Sequence, residues 1–241
     1  EYYHPSNSYI YIYGDMDVNE RLEYLDREYL SDFDVSDVDI HANIERQAAF
    51  DKPVYETKPY AITEDESLED NTYLSYNAVI GTSVDAKLYL AFQILDYALV
   101  MTPGAPVKQA LLDAGISTDV YSSYETSLYQ PVYSIVAKNS NAKEQDRFVS
   151  VINDTLEKLV KDGINERTIE AGINYYEFKY READYGPYPK GLMYYLTMMD
   201  SWLYDENKPF VHVEAGETFE IIKKNSENGF FEKFIEDNII G

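Results

Sequence analysis

The chain has 241 residues, 45% hydrophobic and 15% aromatic, enough to bury a sizeable core. Its 44 acidic residues against 20 basic ones leave a net charge of -24, a field that repels nucleic acid and anionic membranes and favours basic partners or plain solubility. Cysteine is absent, which excludes disulfides, thiolate zinc sites and cysteine nucleophiles and fits a reducing compartment.

The chain opens at Glu1 without a Met or a secretory pattern, and it reads as a piece of a longer polypeptide. Residues 9–13 (Tyr-Ile-Tyr-Ile-Tyr) are short and β-prone, and Gly14 and Asp15 end them, so a strand is expected there. Asp17 followed by Glu20 matches a capping box. Val18, Leu22, Leu25 and Tyr29 then follow helical spacing and predict a short amphipathic helix. Over 31–58 the periodicity dissolves among Asp32, Asp34, Asp37, Asp39 and Pro53. That stretch reads as an extended acidic connection on a surface and as the domain boundary, with 1–30 closing one unit and 59–241 forming the next.

From Pro59 the signals become regular. Residues 60–62 and 72–81 read as strands, separated by the acidic turn 64–70. Asp85 suits the cap of a helix showing Leu88, Phe92, Leu95 and Leu99, stopped by Pro103 and Gly104. Pro106 fits a first helical position, and Gly115 closes the short helix through Leu111 and Leu112. Residues 119–127 and 130–138 read as two adjacent antiparallel strands. A helix over 143–161 shows Phe148, Val151, Thr155 and Leu159, with Gly163 as its stop. Asn165 caps the next, with Ile169, Ile173, Tyr176 and Tyr180 on one side, and a third shows Leu192, Tyr195, Met199 and Leu203. A last helical stretch, 217–239, breaks near Gly229. Strands followed by helices in this order predict an α+β domain: an antiparallel-rich sheet with helices packed on one face. No apolar run approaches the roughly 20 residues that span a bilayer.

The chemistry these residues permit is narrow. His4, His41 and His212 lie too far apart in sequence for two of them to share a helix face as metal ligands. His212 and Glu214 match half of a zinc deaminase signature whose two cysteines do not exist here. No G-x-S-x-G elbow and no phosphate-cradling glycine loop occurs. The densely aromatic stretch 174–205 stands apart from this background. Its rings (Tyr175, Tyr176, Phe178, Tyr180, Tyr185 and Tyr188) cannot all share one apolar stripe, so some are expected on an exposed face. Tyr176, Tyr180, Arg181, Tyr185 and Tyr188 are the candidates for a peptide-facing or interdomain surface.

Several stretches together resemble the pitrilysin/insulinase family of zinc peptidases, in its presequence protease branch. Residues 2–15 (Tyr-Tyr-His-Pro-Ser-Asn-Ser-Tyr-Ile-Tyr-Ile-Tyr-Gly-Asp) and 25–30 (Leu-Asp-Arg-Glu-Tyr-Leu) resemble the end of that family's first domain. Residues 103–115 (Pro-Gly-Ala-Pro-Val-Lys-Gln-Ala-Leu-Leu-Asp-Ala-Gly), 130–138 (Gln-Pro-Val-Tyr-Ser-Ile-Val-Ala-Lys) and 180–191 (Tyr-Arg-Glu-Ala-Asp-Tyr-Gly-Pro-Tyr-Pro-Lys-Gly) resemble its second domain, in the family's order. The resemblance implies a mitochondrial-processing-peptidase-like domain, one of several that enclose a chamber for unfolded peptides. The family's zinc sits on an inverted H-x-x-E-H helix of the first domain, and no such motif occurs in this chain. An arginine that helps hold substrate in the family's fourth domain has no counterpart at 111–115.

The expectation is therefore a non-catalytic scaffold and chamber wall, with zinc in the parent protein and none in this chain. Its expected partners are other domains of the same polypeptide and unfolded basic peptides, with no nucleic acid and no membrane. Its expected compartment is a bacterial cytoplasm or an organelle matrix. The alternative expectation is a structural subunit that kept the fold without the chemistry.

Overall fold

A computed structural model describes residues 3–34, 44–227 and 229–240. The sheet has three strands, β1 (Thr72–Val79), β2 (Asp119–Glu125) and β3 (Val132–Ser140), in the order β1-β3-β2 with both pairings antiparallel. Strand alternation sorts its two faces. Leu74, Val120, Tyr133, Ile135 and Ala137 point into the core, while Tyr73, Val79 and Tyr121 stay exposed on the other side. Helices cover the inner face only, so the α+β architecture expected from the element order is the one formed.

The central element is α2 (Ala86–Asp96), continued by a π-helical turn, Tyr97–Met101. The Asp85 carboxylate accepts from the Leu88 amide at 3.0 Å and fixes where α2 begins, a cap worth about 1 kcal/mol. Leu88, Leu90, Ala91, Phe92, Ile94 and Leu95 are all buried, so α2 is wrapped by the sheet on one side and by other helices elsewhere. Residues 86–113 are apolar and long enough to cross a membrane by composition, at mean hydropathy 1.2, yet 61% of that window is buried within the fold. The chain also turns between Met101 and Pro106, so this hydrophobicity builds the core. Then come α3 (Pro106–Asp113), α4 (Gln145–Asp162), α5 (Glu166–Glu182), α6 (Lys190–Trp202), α7 (Gly216–Asn225) and α8 (Phe230–Ile235).

Local signals set most of these boundaries. Gly163 ends α4 at φ 88°, and the Asn165 side chain accepts from the amides of Arg167 and Thr168 to start α5. Two helix faces turn differently from expectation. On α4 the buried stripe is Phe148, Ile152 and Leu156, with Val151 and Leu159 only flanking it. On α6 the buried positions are Gly191, Met198 and Ser201, while Leu192, Leu196 and Leu203 are exposed.

Two expected strands are not formed. Residues 9–13 and 60–62 have no ladder partner among the described residues, and a strand without one has nothing to stabilise it. The helix expected after Gly14 is α1 (Val18–Glu28), with Asp17 accepting from the Glu20 amide at 3.1 Å. None of its residues is buried, and Val18 and Leu22 face solvent. Of the long connection, 35–43 lie outside the described residues, and 44–58 form neither helix nor strand and are exposed throughout.

Candidate functional site

The five residues singled out in the aromatic stretch do not form one surface. Tyr176 is buried on α5, its ring edge-on to Tyr175 and its hydroxyl directed at Met101 Sδ at 4.0 Å. Tyr180, one turn on, packs edge-on against Phe219 at 5.4 Å, and burial pushes its phenol up to about 12. Tyr176 belongs to the core, and Tyr180, partly buried, packs against it. Arg181 is exposed and pairs with Glu177 at 2.6 Å, a carboxylate that also receives Lys223 at 2.9 Å. Tyr185 is half-buried against Tyr194 at 6.0 Å, and Tyr188 lies 63% exposed.

The structure instead assembles an aromatic seat on α6 that only Tyr185 joins. Residues 9–13 run across this helix with ring on ring: Tyr9 on Trp202 at 4.5 Å, Tyr11 on Tyr195 at 5.3 Å, Tyr13 on Tyr194 at 5.8 Å. Each such pair adds about 1 kcal/mol beyond the area it buries. Burial and the neighbouring phenols of Tyr13 and Tyr194 push the Tyr11 hydroxyl upward. An open cleft of about 430 Å³ lies between segment and helix, lined by Tyr11, Tyr13, Lys190, Leu192 and Tyr195 among others. Sequence reasoning missed this seat. Its signal was the period-2 spacing of Tyr9, Tyr11 and Tyr13 together with Gly191 ahead of Tyr194 and Tyr195.

Gly191 is what lets the segment approach. A Cβ there would overlap the Tyr13 ring, lying 2.7 Å from its Cγ. Gly191→Ala is expected to expel Tyr13 while leaving the core intact, because the helix itself gains up to about 1 kcal/mol from alanine. Chymotryptic cleavage after Tyr11 and Tyr13 should accelerate with the melting temperature nearly unchanged, and unaltered cleavage would show that the ring does not need that space.

The opposite side of α6 is tied down by polar groups. Asp200 Oδ2 accepts from the Tyr89 hydroxyl at 2.8 Å and from Thr126 Oγ1 at 3.0 Å, joining α6 to α2 and to the end of β2. Burial raises the Asp200 carboxyl, the charge of Glu125 adds to that, and the two donors oppose it. Beside it, the His212 ring stacks on Tyr89 at 3.7 Å and its Nε2 lies 2.6 Å from the Ser83 carbonyl oxygen. A neutral ring with its proton on Nε2 donates that bond. His212 is thus a packed core residue, and His4 caps the short 3₁₀ turn Pro5–Asn7 through Nδ1, while His41 lies outside the described residues. Among the described residues no group of three or more His, Asp or Glu side chains is placed to hold a metal ion. The zinc that the resemblance implies has no ligand set among the described residues.

Comparison with known proteins agrees with this arrangement. Residues 1–176 match the family described as the Peptidase M16 inactive domain. The chain is 42% identical to Protein HypA of Clostridium perfringens over 240 residues, all of this chain and 24% of that protein. It is 32% identical to Presequence protease 1, chloroplastic/mitochondrial, of Arabidopsis thaliana, over 92% of this chain and 21% of that protein. The chain thus spans between a fifth and a quarter of these relatives' length. Among solved structures, the periplasmic protease PqqL of Escherichia coli shares the fold at TM-score 0.58 and 14% identity, covering 92% of this chain and 23% of that one. An inactive peptidase domain from Bordetella parapertussis shares it at TM-score 0.50 and 12% identity, over 61% of this chain and 77% of that one. The resemblance to the presequence protease branch is borne out, and the chain belongs to the M16 peptidase family as one of its inactive domains.

Proposed function

We propose that the protein is a scaffold and wall domain of a zinc-dependent endopeptidase that degrades unfolded peptides in a closed chamber. In this reading 1–30 close a preceding domain, 31–58 link it, and 59–241 form the wall, with the zinc site elsewhere in the same polypeptide. The observation that carries it is the two-sided helix α6. Its inner face is bound to the core through Asp200, and its outer face seats the segment 9–13, so that segment and domain are held as one body. A rigid wall needs that kind of cross-tie. The net charge of -24 suits basic, unfolded peptides, an attraction that weakens as salt rises. The lack of cysteine suits a bacterial cytoplasm or an organelle matrix.

Joined to the rest of its polypeptide, the protein should cleave an unstructured basic peptide and lose that activity to a chelator. The chain alone should do neither and should bind no stoichiometric zinc. In the joined protein made inactive at its zinc site, a photoreactive peptide should label residues within 59–241. Labelling confined to other regions would overturn the wall role, and one tightly bound zinc per isolated chain would overturn the placement of the metal.

A further inference from the structure

Without cysteine, all of the sulfur in this chain sits in five methionines. Four are sheltered: Met198 is 3% exposed, and Met16, Met193 and Met199 are half-buried. Met101 is 50% exposed, although Ala98, Leu99 and Val100 just before it are buried. The π-helical turn that ends α2 produces this contrast. It is closed by the Thr102 amide, which donates to the Tyr97 carbonyl oxygen at 3.0 Å, and its wider winding brings the last residue out to the surface.

The inner side of Met101 has a specific neighbour. Helix α5 packs close against the π turn at Gly172, where a Cβ would lie 3.2 Å from side-chain atoms of Ile94 and Tyr97. One turn further along α5, Tyr175 stacks on Tyr97 at 5.1 Å, and Tyr176 directs its hydroxyl at Met101 Sδ at 4.0 Å. Among the described residues no oxygen or nitrogen atom accepts from that hydroxyl, so its partner is a thioether, a weak acceptor. Burial, and then the charge of Asp96, push the Tyr176 phenol upward and keep it a donor. A buried donor with a poor acceptor leaves part of its hydrogen-bond energy unrealised.

We propose that Met101 is an oxidation site for hydrogen peroxide, and that its sulfoxide latches the π turn to α5 by accepting from the Tyr176 hydroxyl. A lone pair on the thioether sulfur attacks one peroxide oxygen. The S–O bond forms as the O–O bond breaks, and the other oxygen leaves as water, taking the proton of the transferred one. Sulfur is oxidised by two electrons and the peroxide is reduced by two. The new oxygen is polar and a far better acceptor than the thioether it came from. A methionine packed all round in a core loses fit when it gains an oxygen. Met101 has solvent on one side and a ready donor on the other, so oxidation tightens its contact with α5. Methionine sulfoxide reductases reverse this chemistry, which makes the latch resettable. The site lies on α2 and α5, apart from the aromatic seat on α6, and does not depend on the wall role.

The test is brief treatment of the whole chain with dilute hydrogen peroxide, followed by mass mapping of each methionine and by amide hydrogen exchange. Met101 should gain one oxygen at least about tenfold faster than Met198. Amides of α5 around Tyr176 should then exchange about fivefold more slowly than in the reduced chain, the effect of one neutral hydrogen bond. Tyr176→Phe keeps the ring and removes the donor, so Met101 should oxidise as readily while the slowing disappears. In Met101→Leu, peroxide should leave α5 unchanged, which excludes a contribution from the other four methionines. Treatment with methionine sulfoxide reductase should restore the original exchange. Met101 oxidising no faster than Met198 would overturn the site. Unchanged or faster exchange in the oxidised parent, or equal slowing in either variant, would overturn the latch.

Discussion

Acidification from pH 7 to pH 4 is expected to remove about 3 kcal/mol of stability through His212 alone. The ring is 2% exposed, stacked on Tyr89 and donating to the Ser83 carbonyl oxygen, and burial lowers its pKa from 6.5 to about 4. The Ser83 bond and Asp85 oppose that shift, while Lys208 adds to it. A group held neutral in the folded state but protonated near pH 6.5 in the unfolded chain stabilises the fold above pH 6.5. That contribution drains away as pH falls to about 4. Asp96 and Asp200 work in the opposite direction. Burial raises both carboxyls, so the folded state takes up their protons before the unfolded chain does and gains stability as pH falls. His212→Gln should lose about 2 kcal/mol at pH 7 from the missing stack and hydrogen bond. Its stability should then stay level or rise down to pH 4, where the parent's falls. Urea titrations at several pH values read both curves, and parallel curves would show that His212 does not govern the acid limb.

Asp200→Ala is the other large effect, expected to cost about 2–3 kcal/mol at pH 7. It strands the hydroxyls of Tyr89 and Thr126, which both donate to Oδ2, and loosens α6 from α2 and β2. Asp200→Asn keeps an acceptor oxygen at the same place and removes a carboxylate whose ionisation burial disfavours. It should lie within about 1 kcal/mol of the parent. The contrast separates the hydrogen bonds from the charge. The alanine change should also raise exchange in α6 and release 9–13, since the outer seat depends on how the inner face is held. Equal losses in both variants would mean that the side chain acts through packing.

Elements whose boundaries depend on near neighbours were legible in the sequence. Asp85, Asn165, Pro106 and Gly163 each mark a helix end where the structure has one, because a cap or a left-handed residue acts on amides a few positions away. The antiparallel pair β2 and β3 is separated by a short turn, so its partner was adjacent in the chain. Residues 9–13 show where this stops. Alternating rings say that a segment is able to form a strand, and only a partner strand turns that ability into one. The Tyr-rich region has some rings exposed, as its spacing implied, but which ones face outward was not legible, for a related reason. Spacing put Tyr176 and Tyr180 on the same face of α5, and the structure keeps them together, but packing against α2 and α7 turns that face inward.

Helix α6 draws the line most clearly. Its sequence is apolar nearly all round, so periodicity had little to choose between faces, and the expected stripe of Leu192, Tyr195, Met199 and Leu203 is not the buried one. What chose was polar. Asp200 and Ser201 reach partners on other elements, Tyr89 and Thr126 for one and the Lys208 carbonyl oxygen for the other, and each would cost more unsatisfied than an exposed leucine does. By itself the sequence determined the helices and their ends, the fold class, the family, and the absence of an H-x-x-E-H motif. The tertiary structure alone decided which rings face outward, that 9–13 lies on α6, and that Gln130 holds the backbone of Gln47. Those pairings join residues 83 or more positions apart, and no local free energy encodes them.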